Sequence, residues 1–296
     1  MKKKCFIALT LASLLVVGSG FFRSAYSYKL LFMMPPILAG EQQGTGNVID
    51  WLPLNDTGIT WSGNYKSGNN TACVASTTPD GDNVVTAQDC SHGRDATHNN
   101  DSDGDAGFSY TKLDSKGDPL SDQSVTYAST PWACVQDNVT GLIWEVKTND
   151  GGLHDKDDTF TWYNTNPATN GDANGTENEG TNCFGYDNNT AATSATYCNT
   201  QAYMNRVNNA GWCGASDWRM PTIKELESLV HYGRTFSAIE NNYFPNPVNA
   251  VNWSVWSGSP SAGSENTAWY VLFSNGFSDT QSSTENATIH LVRYRQ

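Results

Sequence analysis

Lysine and arginine are scarce in this chain: 17 of them stand against 30 Asp and Glu, a formal net charge of −13 over 296 residues. Charged residues make up 16% of the sequence, against about a quarter in typical soluble domains, so the acidity reflects missing bases more than surplus acids. That balance excludes an extended basic face and, with it, a nucleic-acid-binding protein that works through phosphate contacts. Alanine, leucine, glutamate and lysine are too few for a long helical bundle. No H-E-x-x-H, no G-x-S-x-G, no glycine-rich phosphate loop after a strand and no C-x-x-C pair occurs. Each of those patterns would place a nucleophile, a metal or a phosphate cradle at fixed geometry. The five histidines are scattered. Asp155 with Asp157 and Asp158 reads as a set of solvated loop acids. No residue is assigned a catalytic role, and a non-enzyme is expected.

What the chain has is aromatic bulk, 10 Trp, 13 Tyr and 11 Phe, set among Gly, Asn, Ser and Thr. It also has an export signature. Lys2, Lys3 and Lys4 precede an apolar run from Cys5 to Phe22, followed by the small residues of Ser24-Ala25-Tyr26-Ser27. This order reads as a signal peptide over residues 1–27. The run approaches spanning length, so an uncleaved anchor is the competing reading; after cleavage no stable membrane span is expected. Cleavage removes Lys2, Lys3, Lys4 and Arg23 and no acid, which deepens the net charge from −13 to −17. Localisation is therefore expected to be periplasmic, on the outer surface, or secreted. Six cysteines remain of seven, an even number that in an exported chain suggests disulfides. Fifteen pairings are open. Proximity favours Cys73 with Cys90 and Cys183 with Cys198, which leaves Cys134 for Cys213.

Four segments follow from composition: the signal over 1–27, a linker over 28–50, a Gly/Asn/Asp-rich module over 51–125 and a better-patterned domain over 126–296. Asn55 to Trp61 and Asn138 to Trp144 echo each other as polar turns running into a short strand ending on Trp, which points to a degenerate repeat or to chance recurrence. Asn199 or Thr200 caps a predicted helix over 201–210, stopped by Gly211. Thr222 and Glu225 form a capping box for a second helix, along which Ile223, Leu226, Leu229 and Val230 recur at helical spacing as far as Gly233. Strands are predicted over 141–146, 159–163, 253–257, 268–274 and 288–294. Few helices, short antiparallel strands and long loops make an α+β domain.

Two constellations suggest binding. Asp101, Asp103 and Asp105 alternate around Gly104, a pattern that suits a hard cation, so calcium is the one cofactor considered. With Asn99 as position 1, Tyr110 falls where an EF-hand needs its glutamate, so any such site is a looser loop; an acidic surface turn is the alternative. Trp253, Trp256 and Tyr270 are the aromatic candidates for stacking on a ligand. Trp218, Arg219, Thr222 and Glu225 read as structural, with Trp218 in the core and Arg219 paired to a carboxylate.

Several ordered blocks resemble a known family: Trp132 to Glu145, Val207 to Gly214, Asp217 to Leu226, Tyr243 to Asn246, Trp253-Ser254, Trp269 to Val271 and Val292-Arg293. Together they are similar to the Lcl carboxy-terminal domain of bacterial exported proteins over about residues 130–296. The resemblance implies a fold related to C-type lectin-like and formylglycine-generating-enzyme-like domains, stabilised here by disulfides. It also implies surface adhesion, in its best-known members through a basic face for sulfated glycosaminoglycans and often as a trimer. The acidity of this chain argues against that basic face. The absence of a collagen-like stalk leaves trimerisation without support. Phe244-Pro245-Asn246 lacks the glutamate of the E-P-N motif of calcium-dependent lectins, and no counterpart of the formylglycine enzymes' catalytic cysteines is evident. The expected function is a non-enzymatic lectin-like module for a surface carbohydrate or protein. A structural or assembly component of the cell envelope is the alternative, and an unrecognised enzyme is the third reading.

Overall fold

The computed structural model describes residues 55–64, 68–70, 89–98, 100–187, 194–234, 236–247 and 254–295. The signal segment, the linker, Cys73 and Trp253 lie outside the described residues. Among those described, no helix is long and apolar enough to cross a membrane.

The framework is a four-stranded antiparallel sheet in the order β3 (Tyr110–Leu113), β4 (Cys134–Asp137), β5 (Leu142–Glu145), β9 (Val292–Tyr294). Its centre is set by the β4–β5 hairpin. Asp137 Oδ1 accepts from the Val139 and Thr140 amides at 2.9 and 3.1 Å, and Gly141 takes φ +73°, a conformation that glycine adopts without strain. Every residue of β5 is buried, so the strand packs on both faces. β5 then pairs with β9, Leu142 opposite Tyr294 and Trp144 opposite Val292. A second sheet, β6 (Ser254–Pro260), β7 (Thr267–Leu272) and β8 (Phe277–Ser282), is also antiparallel. It meets the segment before β9 through a parallel bridge, Val255 with Thr288. A small ribbon, β1 (Ser62–Asn64) with β2 (Gly68–Asn70), and a single helical turn, α1 (Asp89–His92), precede these.

Two helices carry clear end signals. α2 (Thr200–Ala210) starts where Asn199 Oδ1 accepts the Ala202 amide at 2.8 Å and stops at Gly211, in the left-handed region. α3 (Ile223–Glu227) has the full capping box, with Thr222 Oγ1 accepting the Glu225 amide and Glu225 Oε2 accepting the Thr222 amide. It is shorter than its apolar spacing suggests. Ser228 closes the helix, its hydroxyl donating to Glu225 O at 2.6 Å. Leu229 and Val230 continue as tight turns yet remain buried. The fold is thus α+β with short antiparallel sheets and long loops.

Other expectations need correction. Residues 159–163 form no strand, only isolated bridges at Phe160, Thr161 and Tyr163, because each pairs with a different segment. The boundary placed at 125/126 cuts across the structure, since β3 is an edge strand of the main sheet. Nor do the two echoing segments share a structure: Leu142 to Trp144 lie in β5, whereas residues 55–60 form no strand. Instead Asn55 donates to the Asp137 carboxylate and to Ser228 O, and Thr57 O accepts the Tyr232 amide at 2.8 Å.

Disulfides Cys134–Cys213 and Cys183–Cys198 are both present. Cys90 is also disulfide-bonded. The first joins β4 to the turn after α2. The second ties the 183 loop to the residue just before the α2 cap. Both border a core of Phe160, Tyr203, Trp218, Ile289 and Leu291. A larger core lies between the main sheet and α3, around Trp132, Trp144, Leu226 and Phe273.

Candidate binding cleft

A cleft of about 830 Å³ is lined by Trp162 to Asn166, the start of α2, Trp218 to Thr222, Gly258 to Pro260 and Tyr294. Its floor is rigid for identifiable reasons. The Trp162 indole donates to Ser257 O at 2.9 Å and the Trp218 indole to Trp212 O at 2.9 Å; both rings are buried. Tyr163 is locked onto α2 by a reciprocal pair. Its amide donates to Thr200 Oγ1 at 2.9 Å, and its carbonyl accepts from the same hydroxyl at 2.7 Å. The following loop folds on itself, with Asn164 Nδ2 donating to Thr169 Oγ1 at 3.0 Å and Asn166 Oδ1 accepting the Ala168 amide at 3.0 Å. Gly171, at φ +66°, lets this loop close on the second sheet, since a Cβ there would lie 2.8 Å from Pro260 Cγ.

Arg219 forms one wall. Its guanidinium makes a two-pronged pair with Glu225 at 2.8 and 2.6 Å and lies 4.6 Å from the centre of the Tyr294 ring, which is 53% exposed. Burial raises the Glu225 carboxyl's pKa, but the hydrogen bonds and charge of Arg219 outweigh it and hold the pKa below its usual value. The capping box of α3 and the cleft wall therefore share one carboxylate. Arg219 is the one ionised side chain lining the cleft; the rest is aromatic, amide and hydroxyl, with Met204, Met220, Pro221 and Pro260 adding apolar surface.

The aromatic residues singled out from the sequence do not form this site. Trp256 is fully buried, its indole donating to Phe160 O at 2.8 Å, because β6 is covered on both faces. Tyr270, opposite Trp256 on β7, is partly buried against the small core of Trp162, Trp256, Ala268 and Ala287. Trp253 lies outside the described residues.

The acidic loop is also arranged differently from its sequence pattern. Asp101, Asp103 and Asp105 do not converge. Asp101 is exposed, Asp103 accepts the Ser109 hydroxyl at 2.6 Å, and Asp105 turns away to Arg234 at 3.1 Å. Alternation places side chains on one loop but does not aim them at one point. Asp155 is not solvated either: it is buried and accepts three backbone amides, from Asp150, Gly151 and Asp157, at 2.6–2.9 Å.

A third polar assembly is sealed inside the fold. Glu145 Oε1 accepts from Lys147 Nζ at 3.1 Å, lies 2.8 Å from His154 Nδ1, and accepts the Tyr203 hydroxyl. Oε2 accepts the Leu291 amide at 3.0 Å. Lys147 Nζ also donates to Tyr203 at 2.7 Å. None of these residues lines a described cavity, and every polar atom of the Glu145 carboxylate is used, so the assembly is a structural brace.

Tyr163, Asn164 and Tyr294 are not legible as site residues in the sequence. The one local signal is the W-Y-N run at 162–164, which reads equally well as a strand end.

Residues 133–293, more than half of the chain, match a family model described as the Lcl C-terminal domain. No curated protein and no solved structure matches the chain.

Proposed function

We propose that this protein, which belongs to the Lcl C-terminal domain family of exported bacterial proteins, is a non-enzymatic binding module whose cleft between Tyr163, Arg219 and Tyr294 takes a neutral carbohydrate. The observation that carries this reading is the cleft's lining. In a chain of net charge −13 it has no carboxylate and one guanidinium already paired to Glu225. Such a surface neither attracts sulfated polysaccharide nor repels uncharged sugar. Two tyrosines offer apolar faces with polar edges, and Asn164, Asn166, Thr169 and Gln201 supply donors and acceptors for hydroxyl groups. No histidine, cysteine, lysine or carboxylate lines the cleft, so a nucleophile–base pair is missing from it. A lectin-like role at the cell surface is consistent with the disulfides and with export.

The test is a glycan array with the exported full chain, followed by titration of any hit against Tyr163→Ala and Tyr294→Ala. Binding to neutral glycans that weakens about tenfold or more in each variant is expected, the scale of losing one aromatic contact. Binding only to sulfated glycans, or binding unchanged in both variants, refutes this site.

A further inference from the structure

Asp105 lies before β3, and His231 and Glu240 lie in the stretch after α3, yet one donor atom of each lies within 4.8 Å of the others. His231 Nε2 is 3.5 Å from Asp105 Oδ2. That is too long for a hydrogen bond but matches the separation of two ligands on one metal: tetrahedral bonds of about 2.1 Å place neighbouring donors about 3.4 Å apart. The His231 side chain is 3% exposed, and neither ring nitrogen has a hydrogen-bond partner. A buried polar group left unpaired costs about 1–3 kcal/mol, so an imidazole in this position calls for an explanation. Its ring is held in place by stacking on Phe108 at 5.2 Å and by Gly58, where even a Cβ would clash with it.

We propose that Asp105, His231 and Glu240 form a site for one divalent transition-metal ion of the zinc class, with Arg234 as the cation that bridges the two carboxylates when no metal is bound. Arg234 Nη2 lies 3.1 Å from Asp105 Oδ2 and 2.5 Å from Glu240 Oε2. It thus sets one positive charge against two negative ones and leaves His231 unserved. A divalent ion would balance both carboxylates and occupy the imidazole lone pair. Arg234 is 25% exposed and has solvent beside it into which to swing. An ion has a route in, because Asp105, 48% exposed, and Glu240 both line a cleft of about 310 Å³. A nitrogen donor beside two carboxylates favours zinc-class ions over calcium, which takes six to eight oxygens. The site therefore shares only Asp105 with a calcium loop of Asp101, Asp103 and Asp105, and differs from it in the other ligands and in the metal.

The test is calorimetric titration of chelator-treated full chain with zinc, and in parallel with calcium. One equivalent of zinc is expected, with calcium at least about tenfold weaker. Affinity for zinc should fall about tenfold or more in His231→Gln and in Asp105→Asn and rise in Arg234→Gln, which removes the competing cation. Asp105 is half-exposed, so Asp105→Asn and Arg234→Gln decide the matter even if His231→Gln does not fold. Absence of zinc binding, calcium binding as tight as zinc, or zinc affinity unchanged in Asp105→Asn overturns the proposal.

Discussion

Lys147 Nζ lies 3.1 Å from Glu145 Oε1, and both side chains are fully sealed from solvent. A buried ion pair is costly to assemble and more costly to break by halves. Here the charges are braced further by Tyr203, His154 and the Leu291 amide, so one residue holds β5, α2 and the segment leading into β9 together. Lys147→Met is expected to destabilise the protein by about 3–5 kcal/mol. Adding Glu145→Gln to it should restore part of that loss, because the stranded carboxylate is then neutral. Urea unfolding of both variants checks this; a double variant no more stable than the single would show that packing, not charge, sets the cost.

The same assembly sets the acid response. Burial and the nearby Lys147 charge push His290 down to about 4, below the ordinary value of about 6.5. Between those two values the unfolded chain takes up a proton that the folded chain refuses. Stability therefore falls as pH drops from about 6.5 to about 4, by about 3 kcal/mol from this group. Burial acts to raise the Glu145 pKa, but Lys147, His154 and Tyr203 hold it well below the usual carboxylate range. Its contribution is present above about 4.5 and is lost only at lower pH. Stability measured against pH should show both legs, and His290→Gln should flatten the first while sparing the second.

The two described disulfides differ in the chain they close, with sequence separations of 79 for Cys134–Cys213 and 15 for Cys183–Cys198. On loop entropy alone, removing the first by paired Cys→Ala should cost about 4.5 kcal/mol and the second about 3 kcal/mol. Thermal unfolding of the two paired variants tests the order, and a larger loss from the shorter loop would contradict it.

Glu225 serves the α3 cap, the Arg219 pair and, through Arg219, the wall at Tyr294. Thr222→Ala should cost about 1 kcal/mol, the usual value of a lost cap. Glu225→Ala should cost more, because it removes the cap's other half and leaves a partly buried guanidinium unpaired. It should also weaken any ligand held in the cleft, and by more than Thr222→Ala, whose hydroxyl is one of several groups lining it. Denaturation and titration on the same two variants separate these effects.

Features written in neighbouring residues are readable from the sequence. Asn199 and Gly211 mark both ends of α2, and Thr222 with Glu225 opens α3, because caps satisfy backbone groups within one turn of themselves. Strands β3 and β4 escape such a reading because their four residues mix polar and apolar side chains, whereas β5, equally short, opens on the apolar run Leu142-Ile143-Trp144. β8 escapes it because its sequence, Phe277 to Ser282, is almost wholly polar; it is the edge of its sheet, and none of its residues is buried. The burial of Trp256 is unreadable for the opposite reason, since a strand covered on both sides leaves no polar face to mark its orientation. The cleft is hidden because its walls come from five distant segments, brought together by long-range bonds such as Tyr163 to Thr200 and Gly258 to Pro221.

The place of β9 has a consequence for how the protein reaches its compartment. β5 at Leu142–Glu145 waits for a partner about 150 residues later in the chain, and the Glu145 carboxylate waits for the Leu291 amide. During vectorial export the main sheet stays unfinished, with one edge of β5 bare and a charged core incomplete, until residues 291–294 have crossed. Closure of the domain therefore waits until the β9 segment has emerged.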